Sequence, residues 1–170
     1  MKPALLIIDV QKRFFEISPT TAQSLDKAIK QINETIGLFR EKQLPVFCIQ
    51  HLHPENNLKP GVPGFDVPDE MAVLPTDGRI HKTYENAFNK TPLLEKLQEQ
   101  GVDTVIVSGF AAEHCVLTTY RGAEDRDLKP IMLRGGMASA HPENLPFVES
   151  LGDVISYGAL KQVLGTPSDQ

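Results

Sequence analysis

Three residues of this 170-residue chain have the types and settings for covalent hydrolysis: Cys115, Asp9 and Lys82. Cys115 follows the apolar run Val105-Ile106-Val107 by a short turn and begins a segment with helical pattern. A thiol in a first helical turn faces unpaired backbone N–H groups, which are expected to lower its pKa and expose a thiolate able to attack a carbonyl. The competing reading is an inert core thiol, because free cysteines are often buried. Asp9 closes the apolar run from Ala4 to Ile8, where a carboxylate is costly unless it is paired. There it can act as a general base, first for the thiol and then for water, or it can simply bind local backbone donors. Lys82 follows Arg79-Ile80-His81, and its ammonium could stabilise an ionised carboxylate and thiolate; a solvated rim lysine is the plainer alternative.

The turn from Gly109 to Cys115 supplies small residues and backbone N–H groups at a helix start, the usual material of an oxyanion hole, although any tight strand-to-helix turn also favours the glycine. Cys48 lies inside the apolar stretch Pro45 to Ile49 and reads as core. Two cysteines at this spacing make neither a disulfide framework nor a zinc cluster. His51 and His53 alternate, but without a third ligand they make a weak metal site, so no metal is assigned and His51 is expected to shape the pocket. His81, His114 and His141 read as local hydrogen-bonding or rim residues, with His114, beside the nucleophile, kept as a pocket candidate. Phe15, Tyr84, Asn86 and Phe88 are further pocket candidates; core packing is the alternative for the aromatics and turn capping for Asn86.

The elements that must position these residues alternate along the chain. Strands are expected at Ala4 to Asp9, Pro45 to Ile49, Arg79 to Lys82, Val102 to Val107, Pro130 to Leu133 and Asp153 to Ser156. Between the first two, apolar Leu25, Ala28, Ile29, Ile32, Ile36 and Phe39 mark a long amphipathic helix. A second helix is expected after Thr91 and Pro92, with Leu93, Leu94 and Leu97 buried and Gly101 ending it; others follow at about 113–125, 142–151 and 158–163. This alternation is the signature of an α/β domain with a parallel sheet, whose ligands bind beyond the strands' carboxyl ends. The long segment at about 52–78, rich in proline and glycine but carrying scattered apolar residues, is expected to form an ordered flap or a subunit contact that helps shape the pocket.

These pieces together resemble the isochorismatase-like cysteine hydrolases, a family that includes nicotinamidases and carbamoylsarcosine-type amidohydrolases. The matching stretches are Leu5-Leu6-Ile7-Ile8-Asp9-Val10-Gln11, Gln50-His51, the run His81 to Phe88 and the run Val107 to Val116, in family order across almost the whole domain. The resemblance implies a single domain over residues 1–170 with a three-layer α/β/α fold and a six-stranded, mainly parallel sheet, assembled as a homodimer or higher homo-oligomer. It also implies Asp9 as base, Lys82 as its cationic partner, Cys115 as nucleophile, a cis peptide before Ala111, and an oxyanion hole from the amides of Ala111 and Cys115. Two departures stand out: Ala112 where many relatives carry threonine, and Ile49 where nicotinamidases carry aspartate. The presence of Cys115 favours an amide-like C–N substrate over a vinyl ether.

The expected function is therefore hydrolysis of a small amide, ureido or carbamoyl compound through a thioester, without a cofactor. Isochorismatase-type vinyl-ether cleavage, or a non-catalytic ligand-binding protein on the same fold, are the alternatives. Seventeen Lys plus Arg against 22 Asp plus Glu, a net charge of -5, argue against a nucleic-acid partner. No run is long enough to span a bilayer or has the pattern of a signal peptide, so no membrane partner and, by default, a cytoplasmic location are expected. A Gly-rich dinucleotide turn is missing after the first strand, where Asp9-Val10-Gln11-Lys12 stands instead.

Overall fold

The computed structural model describes residues 1–165. Strand β1 (Pro3–Ile8) is buried at every position, which is why it is apolar without alternation. Ala4, Leu6 and Ile8 enter one core cluster, while Leu5 and Ile7 enter the other. Its neighbours are β2 (Val46–His51), β3 (Gly78–Lys82), β4 (Thr104–Gly109), β5 (Lys129–Met137) and β6 (Val154–Ile155), in the spatial order β3-β2-β1-β4-β5-β6. Every pairing between these strands is parallel.

Helix α1 (Pro19–Glu41) begins where Ser18 Oγ accepts a bond from Thr21 N at 3.0 Å, with Pro19 in the first turn. Its buried stripe of Leu25, Ala28, Ile29, Ile32, Ile36 and Phe39 covers the face that carries Leu5 and Ile7, joined by Leu160 of α5 (Tyr157–Gly165). The opposite face is covered by α2 (Leu93–Glu99), α3 (Leu117–Glu124) and α4 (Leu145–Glu149) through Leu93, Leu97, Tyr120, Ala123 and Val148. Burying both faces in this way is what makes the three layers stable.

Several boundaries differ from the pattern in the sequence. Asp9 lies just outside β1 rather than within it, and β2 continues past Ile49 to His51 because it pairs in register with β3, His51 opposite Lys82. The expected single helix at 113–125 is divided into a π-helical turn, Ala112–Val116, and α3. The 52–78 segment is ordered by turns at Pro54–Asn56 and Pro63–Phe65 and by buried Leu58, Phe65 and Met71. Two buried glutamines hold it down: Gln11 Nε2 and Gln50 Nε2 both donate to the Phe65 carbonyl, at 3.1 and 2.9 Å. Among the described residues, no helix is long and apolar enough to cross a membrane.

The chain leaves β1 for β2 and β3 on one side and returns through β4 on the other. The carboxyl ends of β1 and β4 therefore open into diverging connections, the place where open parallel sheets form their ligand crevice.

Candidate active site

Gly109 ends β4 with φ +112°, and a Cβ there would lie 2.0 Å from the Ile8 carbonyl oxygen. Only glycine lets the turn after β4 press against the end of β1. The next peptide, Phe110–Ala111, is cis. Ala112 N donates to Ala138 O at 2.8 Å, and His114 N and Val116 N both donate to Ala111 O, at 3.0 and 3.2 Å; the Ala111 amide makes none of these bonds. Across from this turn, Asp9 takes a left-handed backbone conformation, φ +52°, with its N–H donating to Ile49 O at 2.9 Å. An aspartate accepts that conformation more readily than a branched residue would.

Lys82, the last residue of β3, sends a fully buried ammonium into this space. Its Nζ lies within hydrogen-bond distance of four acceptors, Asp9 Oδ2 at 2.8 Å, His51 Nδ1 at 3.0 Å, the Tyr84 carbonyl at 3.0 Å and Cys115 Sγ at 3.4 Å, which share its three protons. The structure thus brings Asp9, Lys82 and Cys115 to one point, with His51 as a fourth member. A buried lysine is costly unless paired, and here the Asp9 carboxylate supplies the counter-charge. The other Asp9 oxygen, Oδ1, is buried with no hydrogen-bond partner. The polar atoms of Asp9, His51 and Cys115 lie within 4.8 Å of one another, close enough to hold a metal ion, but the Lys82 ammonium already places a cation among them.

The electrostatics depart from what the sequence suggested. The Cys115 thiol is pushed up to about 12, first by burial and then by the Asp9 charge, with Lys82 pulling against both. The helix-start position, expected to lower it, is outweighed. Burial also raises the Asp9 carboxyl above its ordinary 3.8, against the opposing pull of Lys82. Cys115 therefore rests as a thiol, beside a carboxyl whose charge burial disfavours and Lys82 favours. His51 is lowered to about 4 by burial, then by Lys82 and His53, so its ring is neutral near pH 7 and its Nδ1 accepts from Lys82.

Cys115 and Asp9 line a cavity of about 430 Å³. Phe14 and Phe110, with ring centroids 5.1 Å apart, form an aromatic wall, and Glu85, Glu113, His51, His114 and His141 supply polar edges. His51 and His114 thus lie where the sequence suggested; the other pocket candidates do not. Phe15 borders a separate small cavity with Lys12, Pro68, Asp69 and Glu70, because the tight turn at Lys12–Glu16 presents its neighbour Phe14 instead. Phe88 is buried in the core under Arg126, and the Asn86 side chain accepts from Phe88 N at 2.9 Å, capping the turn. Tyr84 contributes its carbonyl to Lys82 while its exposed ring meets Lys90. The 52–78 segment does not supply a lining residue; it roofs a different groove.

Phe14, Phe110, Glu85 and Glu113 are lining residues that the sequence does not single out, although Glu85 lies within the run His81 to Phe88 and Phe110 and Glu113 within the run Val107 to Val116; only Phe14 stands outside the matching stretches. Gln11 belongs to the first matching stretch, and its role comes from the structure. Wholly buried, it accepts from His51 N at 2.7 Å and donates to His51 O and Phe65 O, each at 3.1 Å, tying the ends of β1 and β2 to the long segment.

Comparison with known proteins adds a family. The sequence profile of the isochorismatase domain matches residues 3–147. An uncharacterised isochorismatase family protein of Bacillus subtilis, YddQ, is 32% identical over 127 residues, covering 72% of this chain and 70% of that protein. Nicotinamidase 3 of Arabidopsis thaliana is 32% identical over 136 residues, covering 71% of this chain but only 65% of the plant protein. Among solved structures, N-carbamoylsarcosine amidase from Thermoplasma acidophilum superimposes with a TM-score of 0.80 at 26% identity, covering 92% of this chain and 96% of its own.

Proposed function

Because the chain belongs to the isochorismatase-like cysteine hydrolase superfamily, we propose that it hydrolyses a C–N bond in a small amide, ureido or carbamoyl compound through a thioester on Cys115. The observation that carries this reading is the single Lys82 ammonium within hydrogen-bond reach of both Asp9 and Cys115, beside an open cavity.

The steps follow from the charges. Asp9 takes the Cys115 proton as the carbonyl carbon of the substrate approaches sulfur, and the Lys82 ammonium offsets the negative charge that moves from oxygen to sulfur. A C–S bond forms, the carbonyl π electrons move to oxygen, and the Ala111 and Cys115 amides hold that oxygen. Collapse of the adduct breaks the C–N bond, and Asp9 returns the proton to the leaving nitrogen as ammonia or an amine departs. Water then attacks the thioester with Asp9 again as base; the acid leaves and the thiol is restored. His51, neutral and accepting from Lys82, orients the ammonium rather than serving as the base. The similarity to proteins named as a nicotinamidase, a ureidoacrylate amidohydrolase and an N-carbamoylsarcosine amidase supports a C–N bond as the target.

The test is a screen of nicotinamide, ureido, carbamoyl and simple aliphatic amides for ammonia release, repeated with Cys115→Ala. Release by the native protein and none by the variant is expected. Equal release by both would refute the mechanism.

A further inference from the structure

Apart from the Asp9–Lys82 pair, which neutralises itself, the fixed charge on the cavity wall is negative. Glu113 and Glu85 both line it, and no arginine or lysine is among the lining residues. Glu85 lies at the rim, its side chain 55% exposed, with Oε1 3.6 Å from His114 Nδ1 and Oε2 accepting from Thr118 Oγ1. Glu113 is set differently. Its Oε1 accepts from Ser139 Oγ at 2.7 Å and from Asn144 Nδ2 at 3.5 Å. Ser139 is wholly buried and is itself fixed, its Oγ accepting from His141 N and its N–H donating to Ser24 Oγ. The carboxylate is therefore held firmly by one oxygen. The other, Oε2, is shielded from solvent and has no partner, the only such side-chain atom among the described residues besides Asp9 Oδ1.

Because Oε2 is shielded and has no protein donor, the negative charge of this lining carboxylate is only partly compensated, and a cation placed in the cavity offsets it through space. Asp9 has an occupation already, as the base of the proposed reaction. Glu113 Oε2 has none in the reaction as derived. We propose that Glu113 is the specificity-determining residue of this cavity and that it selects substrates carrying a positively charged nitrogen, an ammonium or amidinium group, away from the scissile C–N bond. The proposal rests on the cysteine-hydrolase reading, since it supposes that the reacting carbonyl sits at Cys115. The aromatic wall of Phe14 and Phe110 suits the apolar or π-bearing body between the two ends. A substrate with a carboxylate at the same position would instead meet a fixed anion with no cation to offset it.

The probe is a charge-matched set of thiol reagents: trimethylammonioethyl, ethyl and sulfonatoethyl methanethiosulfonate. Each is attacked by the Cys115 sulfur to form a mixed disulfide with loss of methanesulfinate, and the modified site is located by peptide mapping. In the native protein the cationic reagent should modify Cys115 about 10- to 100-fold faster than the anionic one. Glu113→Gln keeps a carbonyl oxygen for Ser139 and removes the charge, so the ratio should fall several-fold, Glu85 at the rim keeping the remainder, while the rate with the neutral reagent changes far less. If Glu113→Gln does not fold, Glu113→Ala reads the same ratio. Ser139→Ala, which retains the carboxylate, should retain the preference.

A native ratio near unity, or one that Glu113→Gln leaves unchanged, would overturn the inference while rapid labelling by the neutral reagent leaves the cysteine-hydrolase reading standing. A Cys115 that resists all three reagents would overturn both. With amides matched in shape and ending in ammonium, methyl or carboxylate, kcat/KM should fall in that order, and Glu113→Gln should compress the series; a uniform loss across all three would instead make Glu113 a structural residue and end the proposal.

Discussion

Two cavities of this molecule are close in size, and the larger of the two is not the reactive one. The groove beneath the 52–78 segment holds about 500 Å³, and the cavity at Cys115 about 430 Å³. The groove is lined by Arg79, His81, Asp66, Asp69 and the apolar Phe65 and Met71, with no cysteine, serine, threonine or lysine among its lining residues. The smaller cavity stands where the connections after β1 and β4 diverge, and there the ends of β1, β2, β3 and β4 deliver a carboxylate, an imidazole, an ammonium and a thiol to one point. Convergence of strand ends, rather than space, is what makes a site. The two cysteines repeat the contrast. Cys48, in mid-strand, is pushed up to about 11, chiefly by burial and with only Arg79 opposing it, and it lines neither cavity.

Substitutions at the two cavities should separate them. The largest effect is expected from Cys115→Ala, which should lower kcat/KM for the substrate found in the screen by about 10,000-fold or more while leaving the thermal midpoint nearly unchanged. Asp9→Asn removes the base and should cost about 1,000-fold in kcat. It should at the same time speed alkylation of Cys115, because the Asp9 charge raises that thiol and Lys82, which lowers it, remains; Cys48 should stay unlabelled in both proteins until they unfold. At the groove the balance reverses. Phe65→Ala should cost about 3–5 kcal/mol of stability in a denaturant titration, because Phe65 is buried and its loss leaves a void, while kcat of the folded fraction changes far less than with Asp9→Asn. A loss of kcat at Phe65 equal to that at Asp9 would erase the distinction between the cavities.

The smallest effects are in pH dependence. The acid limb of kcat/KM should have an apparent pKa above 3.8, because Asp9 is raised and activity is lost as falling pH protonates it. For stability the His51 ring has the opposite shift, its folded value near 4 against 6.5 unfolded. Its contribution is complete above pH 6.5 and is lost as pH falls to about 4, since the unfolded chain takes up the proton that the folded ring refuses. The thermal midpoint of His51→Asn should therefore decline less steeply over that interval, and an identical slope would place the titration elsewhere.

Much of this was legible in the chain. The unbroken apolar run from Ala4 to Ile8 marks a doubly buried strand, and the helical spacing from Leu25 to Phe39 marks the helix that covers it, because burial imposes those periods directly. Strand ends followed by Asp9, Lys82 and Cys115 were readable for the same reason. What escaped depends on how turns present side chains. Whether Phe14 or Phe15 faces the cavity is decided by the tight turn at Lys12–Glu16, and the π-helical winding at Ala112–Val116 has no periodic signature in five residues. The rise in the thiol's pKa is not legible in the chain because a helix start is visible in sequence, whereas burial and the facing carboxylate arise only when strands distant in sequence meet.

The central claim, a thioester on Cys115 formed with Asp9 as base, is tested most directly by intact-protein mass spectrometry on a reaction quenched with acid during turnover. The expected result is a mass increase equal to the acyl part of the substrate, mapped to the peptide containing Cys115 and missing from Cys115→Ala. Turnover at full rate with no adduct on Cys115 at any quench time, and undiminished in Cys115→Ala, would contradict it.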